Sequence, residues 1–143
     1  MAAALVAALA LGVASCGGTE TTTLEGAALV RRIELACREG QRTAQREAQR
    51  TRQPRTGINI TPILAAHRVM AEKVGELDTD GPDKADFERL KAAMQERLEL
   101  VQQVADADRA EQSRVIRSVQ VRAARTTRVI EAAARRLGVE GCS

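Results

Sequence analysis

Apolar and polar positions alternate along most of this chain with the three-to-four residue period of an α-helix, not the two-residue period of a strand. An uncharged run, residues 2–15, opens the chain. From Leu24 the residues Val30, Ile33, Cys37, Gly40, Ala44 and Thr51 fall near heptad spacing. They predict a first helix to about Arg52, with Thr22 and Glu25 as a capping box at its start. Its second half offers only Gly, Ala and Thr to the inner face, so that half is expected to fray or project.

Pro54 to Ile60 reads as a connector with Gly57 as a turn residue. Thr61 and Pro62 then suit a helix start, a capping hydroxyl followed by proline in the first turn. Ile63, Ala66, Met70, Val74 and Leu77 form the inward stripe of this second helix, which ends near Asp78. Asp80-Gly81-Pro82 breaks it. No Gly or Pro follows across the 55 residues from Asp83 to Leu137. Within them Phe87, Leu90, Met94, Leu98, Val101 and Val104 make one stripe; Ile116, Val119, Ala123, Thr126, Ile130, Ala133 and Leu137 make another. The polar stretch Asp106 to Glu111 between the two predicts a short connection, hence helices three and four, with one long bent helix as the alternative. Gly138 is placed to cap the last helix. The expected fold is all-α, an antiparallel up-down-up-down bundle of about four helices over residues 22–143.

Composition thins the expected core without changing its class. Of 143 residues 26 are alanine, one is Phe (Phe87), and Trp and Tyr are absent. The core must be built from branched aliphatics, Met and methyl groups. Arginine outnumbers lysine 19 to 3, yet the formal charge is only +3, which by itself demands no polyanionic partner.

The opening run is too short to span a bilayer, which takes about 20 apolar residues. It has the size of a signal-peptide apolar region. Val13-Ala14-Ser15-Cys16 closes it in the manner of a bacterial lipobox, an aliphatic residue and two small ones before the cysteine that takes the lipid. Residues 1–15 are therefore read as a lipoprotein signal peptide and 16–21 as the lipidated Cys16 and a tether. No Lys or Arg precedes the run, a departure from the usual pattern. A simply cleaved, secreted chain is the alternative. Three cysteines leave an odd thiol in an oxidising compartment. With Cys16 lipidated, Cys37 and Cys142 are free to pair; two unpaired buried thiols are the other reading. A bridge closing so long a loop is worth about 2–5 kcal/mol.

In this layout the chain resembles small exported helical lipoproteins of high-GC Gram-positive bacteria. The resemblance rests on the lipobox cysteine, the cysteine of Leu35-Ala36-Cys37 on the first helix, the proline-led second helix and the Leu-Gly-x-x-x-Cys tail ending at Cys142. It implies a place, the extracytoplasmic face of a cell membrane, and a fold, and no activity.

Little in the sequence suggests catalysis. His67 is the only histidine, at the edge of the second stripe and without the spacing of a zinc site. Ser113 and Ser118 stand in a helical run without an acid–base partner, and Thr126 on the inward stripe is expected to bond a preceding carbonyl. Asp78, Asp80, Asp83 and Asp86 crowd a helix–helix turn but lack calcium-loop spacing, so they read as solvated or helix-capping groups. No enzyme activity, metal or cofactor is expected. Charge is unevenly spread: residues 107–137 carry a net +5, residues 24–52 a net +3, and residues 61–106 a net −4. Arg114, Arg117, Arg122, Arg125, Arg128 and Arg135 all fall on the outward positions of the last helix. They suggest a face for an anionic partner, pooled with the arginines of the first helix; complementary charge between helix pairs is the plainer account. The expectation is a membrane-tethered interaction module whose partner is an envelope protein or an anionic polymer. Nucleic acid is disfavoured by export and by the lack of stacking aromatics. Small-ligand or ion binding by the bundle is the alternative.

Overall fold

The computed structural model describes residues 23–51, 59–110 and 112–142. The residues read as a signal peptide, lipidated Cys16 and tether, with Thr22 and most of the first connector, lie outside them. Four helices account for the described chain: α1 Gly26–Arg50, α2 Ile60–Gly75, α3 Lys84–Arg109 and α4 Ser113–Leu137. The main packings join α1 to α2, α2 to α3, and α3 to α4. Each pair is antiparallel. Thr51 meets Asn59 across α1 and α2, the Lys91 ammonium reaches the Leu77 carbonyl, and Arg97 of α3 reaches Ala123 while Asp86 meets Arg136. The long-bent-helix alternative is thereby excluded: α3 runs through Arg109, four residues into the polar stretch, the chain turns at Ala110, and α4 starts at Ser113 in the opposite direction.

The core gathers at the end of the bundle that holds the α2–α3 turn. Leu29 and Ile33 of α1, Val74 of α2, and Phe87 and Leu90 of α3 are fully buried, and Ile130, Ala133 and Leu137 of α4 close the cluster. Phe87 supplies the largest side chain, with the Lys91 ammonium 5.8 Å from its ring centre. Nothing on α1 beyond Gly40 is buried, in keeping with the weak apolar pattern of that half. Gly40 itself marks a close approach of α1 to α2: a Cβ there would lie 2.5 Å from Met70 Cγ and 2.9 Å from the Ala66 carbonyl.

Several local expectations are corrected. α1 starts at Gly26, with Glu25 at the capping position but making no side-chain cap bond. The chain before it is instead fixed to the α2–α3 turn, where Thr23 bridges Asp78 and the Leu24 amide donates to the Asp78 carbonyl at 3.0 Å. α2 starts at Ile60, one residue before Thr61. Asn59 is its cap, accepting from the Thr61 amide and donating through Nδ2 to Thr51 Oγ1. Pro62 thus lies deeper in the first turn, where it is buried, and Ile63 turns out to solvent. In α1 the buried arc centres on Leu29, Ile33 and Ala36, with Val30 only partly covered. The helix must serve two neighbours, α2 on one side and the C-terminal tail on the other, so its buried arc is wider than one heptad stripe. In α3, Ala93, Leu100 and Ala105 are buried while Leu98 and Val104 are half-covered, for the same reason.

The tail behaves as its residues suggest. Gly138 takes the left-handed conformation at φ 72°, letting the Val139 amide return to the Ala134 carbonyl while Val139 packs into the core. Cys142 then bridges to Cys37 with Cα atoms 5.2 Å apart. Two hydrogen bonds flank the bridge: the Glu140 amide donates to Glu34, and Gln41 donates to the Gly141 carbonyl. Helix α4 is thus tied to α1 by its tail.

Candidate functional site

Each arginine singled out on α4 is exposed. Positions 114, 117, 121, 125, 128, 132 and 135 follow the 3–4 spacing of one helix face and read Arg, Arg, Val, Arg, Arg, Ala, Arg. At 1.5 Å per residue the row is about 30 Å long. Val121 stands in the middle of it, 75% exposed. The sole acidic residue on α4, Glu131, falls outside the row. Arg122 lies beside the row and reaches Glu96 of α3 at 3.8 Å, while the Arg135 Nε donates to the Glu131 carbonyl. Arg114, Arg117, Arg125 and Arg128 have no carboxylate partner among the described residues. Four guanidiniums without a carboxylate partner among the described residues raise the local potential on this face well beyond what a net charge of +3 conveys.

Arginines of α1 and of the row border separate grooves. Arg32, Arg42 and Arg46 line a groove of about 420 Å³ between α1 and α2, together with Lys73 and the acids Glu39 and Glu76. Arg125, Arg128 and Arg136 of α4 instead border a groove shared with Arg89 of α3. Between α1 and α4 runs the tail, with Glu34, Glu131 and Glu140 near it. The bridging cysteine sits on the tail and not on α4, so the disulfide ties α1 to the tail, with Arg135 of the row beside it.

Arg89 was not singled out from the sequence, because it lies on a helix of acidic balance. Structure places it on the α3–α4 boundary, where Asp86 accepts from Arg136 at 2.9 Å and from Arg89 at 3.1 Å. The Arg136 and Arg89 bonds hold the Asp86 carboxyl below the usual carboxylate range. The other acids of the turn are engaged locally. Asp78 accepts from the Thr79 amide, Asp80 pairs with Lys84 at 2.8 Å, and Asp83 takes the capping position of α3 without a side-chain cap bond.

The remaining candidates are engaged in local contacts. His67 sits half-buried on α2; burial first, and then the positive charge of Arg97, push its pKa down to about 4. It is therefore a neutral imidazole at neutral pH. Arg97 is itself partly buried, which pulls it below its usual range, and donates to the Ala123 carbonyl at 3.0 Å. Thr126 bonds the Arg122 carbonyl, as expected from its position, and Ser118 the Val115 carbonyl. Among the described residues no group of three or more His, Cys, Asp or Glu is placed to hold a metal ion, and no helix is long and apolar enough to cross a membrane. No protein-family model, curated protein or solved structure matches this chain.

Proposed function

We propose that this protein is a non-catalytic interaction module, held by a lipid on Cys16 at the extracytoplasmic face of a cell membrane. Its contact surface is the arginine row of α4, and its partner is an anionic component of the envelope. The observation that carries the reading is the row itself: five arginines on one exposed face, broken only by Val121 and Ala132, with no carboxylate among them. A solvating helix surface ordinarily mixes both signs. Each basic side chain held near an anionic surface contributes about 1 kcal/mol, so the row would hold α4 against the surface to which the lipid tethers the chain. Among the described residues the buried polar side chains are Thr79 and Thr126, and both already hydrogen-bond within the chain.

The anchor is tested by the mass of the mature N-terminus isolated from a high-GC Gram-positive host. A diacylglyceryl-modified Cys16 is expected, and Cys16→Ser should leave the chain unprocessed or released. An unmodified N-terminus at or beyond residue 16 would sink the tethered reading.

A further inference from the structure

The groove between α3 and α4 is more than a continuation of the charged row. Arg89 comes from α3, and Arg125, Arg128 and Arg136 from α4, around a space of about 340 Å³ that Val129, Ala132 and Ala133 also line. The lining is thus guanidinium and apolar in combination. Asp86 bridges Arg136 and Arg89 and holds both in place. Arg125 and Arg128 remain without a carboxylate partner among the described residues. Four guanidiniums against one carboxylate leave a net +3 around the groove.

Planar guanidinium forks match the two oxygens of a phosphate, and charge-assisted pairs of this kind are about twice as strong as neutral hydrogen bonds. Val129 and the two alanines add what a freely hydrated anion does not need, an apolar surface beside the charge. A glycerol backbone and the first methylenes of an acyl chain would cover it.

Placement selects the source of the phosphate. The described chain begins at Thr23, which bridges Asp78 in the α2–α3 turn. At that same end of the bundle the first turn of α3 meets the last turn of α4, through Asp86 and Arg136. Cys16 precedes Thr23 by seven residues, which span at most about 25 Å when fully extended. A lipid on Cys16 holds this end of the bundle, and with it the groove, close to the headgroup layer. We infer that the α3–α4 groove binds the phosphodiester headgroup of an anionic phospholipid, with Arg125 and Arg128 as its principal ligands and Arg89 and Arg136 completing the rim. The inference rests on the lipid-anchor reading above and adds a defined site and ligand class to it.

The test uses the chain from residue 16 onward carrying Cys16→Ser. The core cluster and the disulfide that define the bundle all lie within residues 24–142. Dihexanoyl phosphatidylglycerol, kept below its micelle-forming concentration, is titrated while the arginine Nε–Hε signals are followed by NMR. Dihexanoyl phosphatidylcholine and inorganic phosphate serve as comparators at constant ionic strength. Saturable shifts at Arg89, Arg125, Arg128 and Arg136 are expected with phosphatidylglycerol, with the comparators at least about tenfold weaker. Arg125→Gln with Arg128→Gln should raise Kd by at least about tenfold, the loss of one or more charge-assisted pairs. Arg42→Gln with Arg46→Gln removes the same charge from the α1–α2 groove and should change Kd less than about twofold, because screening isolates distant charges. Thermal melts of both double variants check that the bundle persists. An equal loss in the two variants overturns the site in favour of diffuse attraction, and inorganic phosphate binding as tightly as the lipid overturns its source. No saturable shift at all overturns the site outright. Each of these leaves the tethered-module reading standing, since that reading fails separately if Cys16 carries no lipid.

Discussion

Substituting Gly40 by alanine adds a single methyl group at a point where α1 and α2 pack closely. In an open helix the change is favourable by about 1 kcal/mol, since alanine loses less backbone entropy than glycine. Here the new Cβ would sit 2.5 Å from Met70 Cγ and 2.9 Å from the Ala66 carbonyl oxygen. Met70 Cγ can retreat only if the whole side chain swings about χ1, and the carbonyl belongs to the α2 backbone and cannot swing away at all. The two helices must separate, and overpacking of this kind costs about 1–3 kcal/mol. The net expectation for Gly40→Ala is a loss of up to about 2 kcal/mol. Gly75 provides the matched control, because it also lies in a helix and a Cβ there meets nothing within 4 Å. Gly75→Ala should gain up to about 1 kcal/mol. The same chemical change is thus predicted to carry opposite signs at two sites in one α-hairpin. Urea unfolding followed by circular dichroism measures both, and each 1 kcal/mol should move the thermal midpoint by about 3–6 °C in a domain of this size. If Gly40→Ala stabilises as much as Gly75→Ala, the close α1–α2 contact is wrong.

Two further perturbations follow from the same structure. Cys142→Ser removes a bridge spanning 105 residues and leaves Cys37 buried without its partner; a loss of about 2–5 kcal/mol is expected in denaturant titrations under oxidising conditions, and an unchanged midpoint would show that the tail is held by its other contacts. His67 is held neutral with a pKa of about 4 against an ordinary 6.5, so unfolding takes up a proton as the pH falls between those values. Stability should therefore be complete above about pH 6.5, decline through that window and level off below about pH 4. Partial solvent exposure reduces the contribution to about 1–2 kcal/mol. His67→Gln should abolish this component, and identical pH profiles of the two proteins would refute it.

Much of the fold was legible in the sequence because its helices are bounded by strong local signals. Gly81-Pro82 ends one hairpin, the polar stretch before Gln112 ends another, and Gly138 stops α4 with a left-handed turn that few other residues accept. The pairing of Cys37 with Cys142 was legible by elimination, and the antiparallel return of the tail realises it. What could not be read were positions decided by tertiary contacts. Thr61 has the better local capping chemistry, yet Asn59 caps α2 because its amide also reaches Thr51 at the end of α1. Thr22 and Glu25 form a good capping box on paper. The Asp78 carbonyl, 53 residues after Glu25, instead takes the Leu24 amide and fixes where the chain enters α1. For the arginines, the heptad period correctly turned those of α4 outward. It could not reveal that Arg89, on a helix of acidic balance, would join them, nor that the arginines of α1 would face a different groove. Periodicity specifies a residue's direction from its own helix axis and says nothing of the neighbour it meets.

The central claim is that α4 presents a surface for an anionic partner, and sedimentation with lipid vesicles tests it most directly. The chain from residue 16 onward with Cys16→Ser is mixed with phosphatidylglycerol-containing vesicles and with pure phosphatidylcholine vesicles. It should sediment with the first and not the second at low ionic strength. Raising the salt to about 1 M, where the Debye length falls to about 3 Å, should release it. Reversing Arg117, Arg125 and Arg128 to Glu should abolish the association while the helical circular dichroism persists. Failure to sediment with anionic vesicles at low salt, or equal binding by the reversed chain, would show that the arginine row serves only to solvate α4.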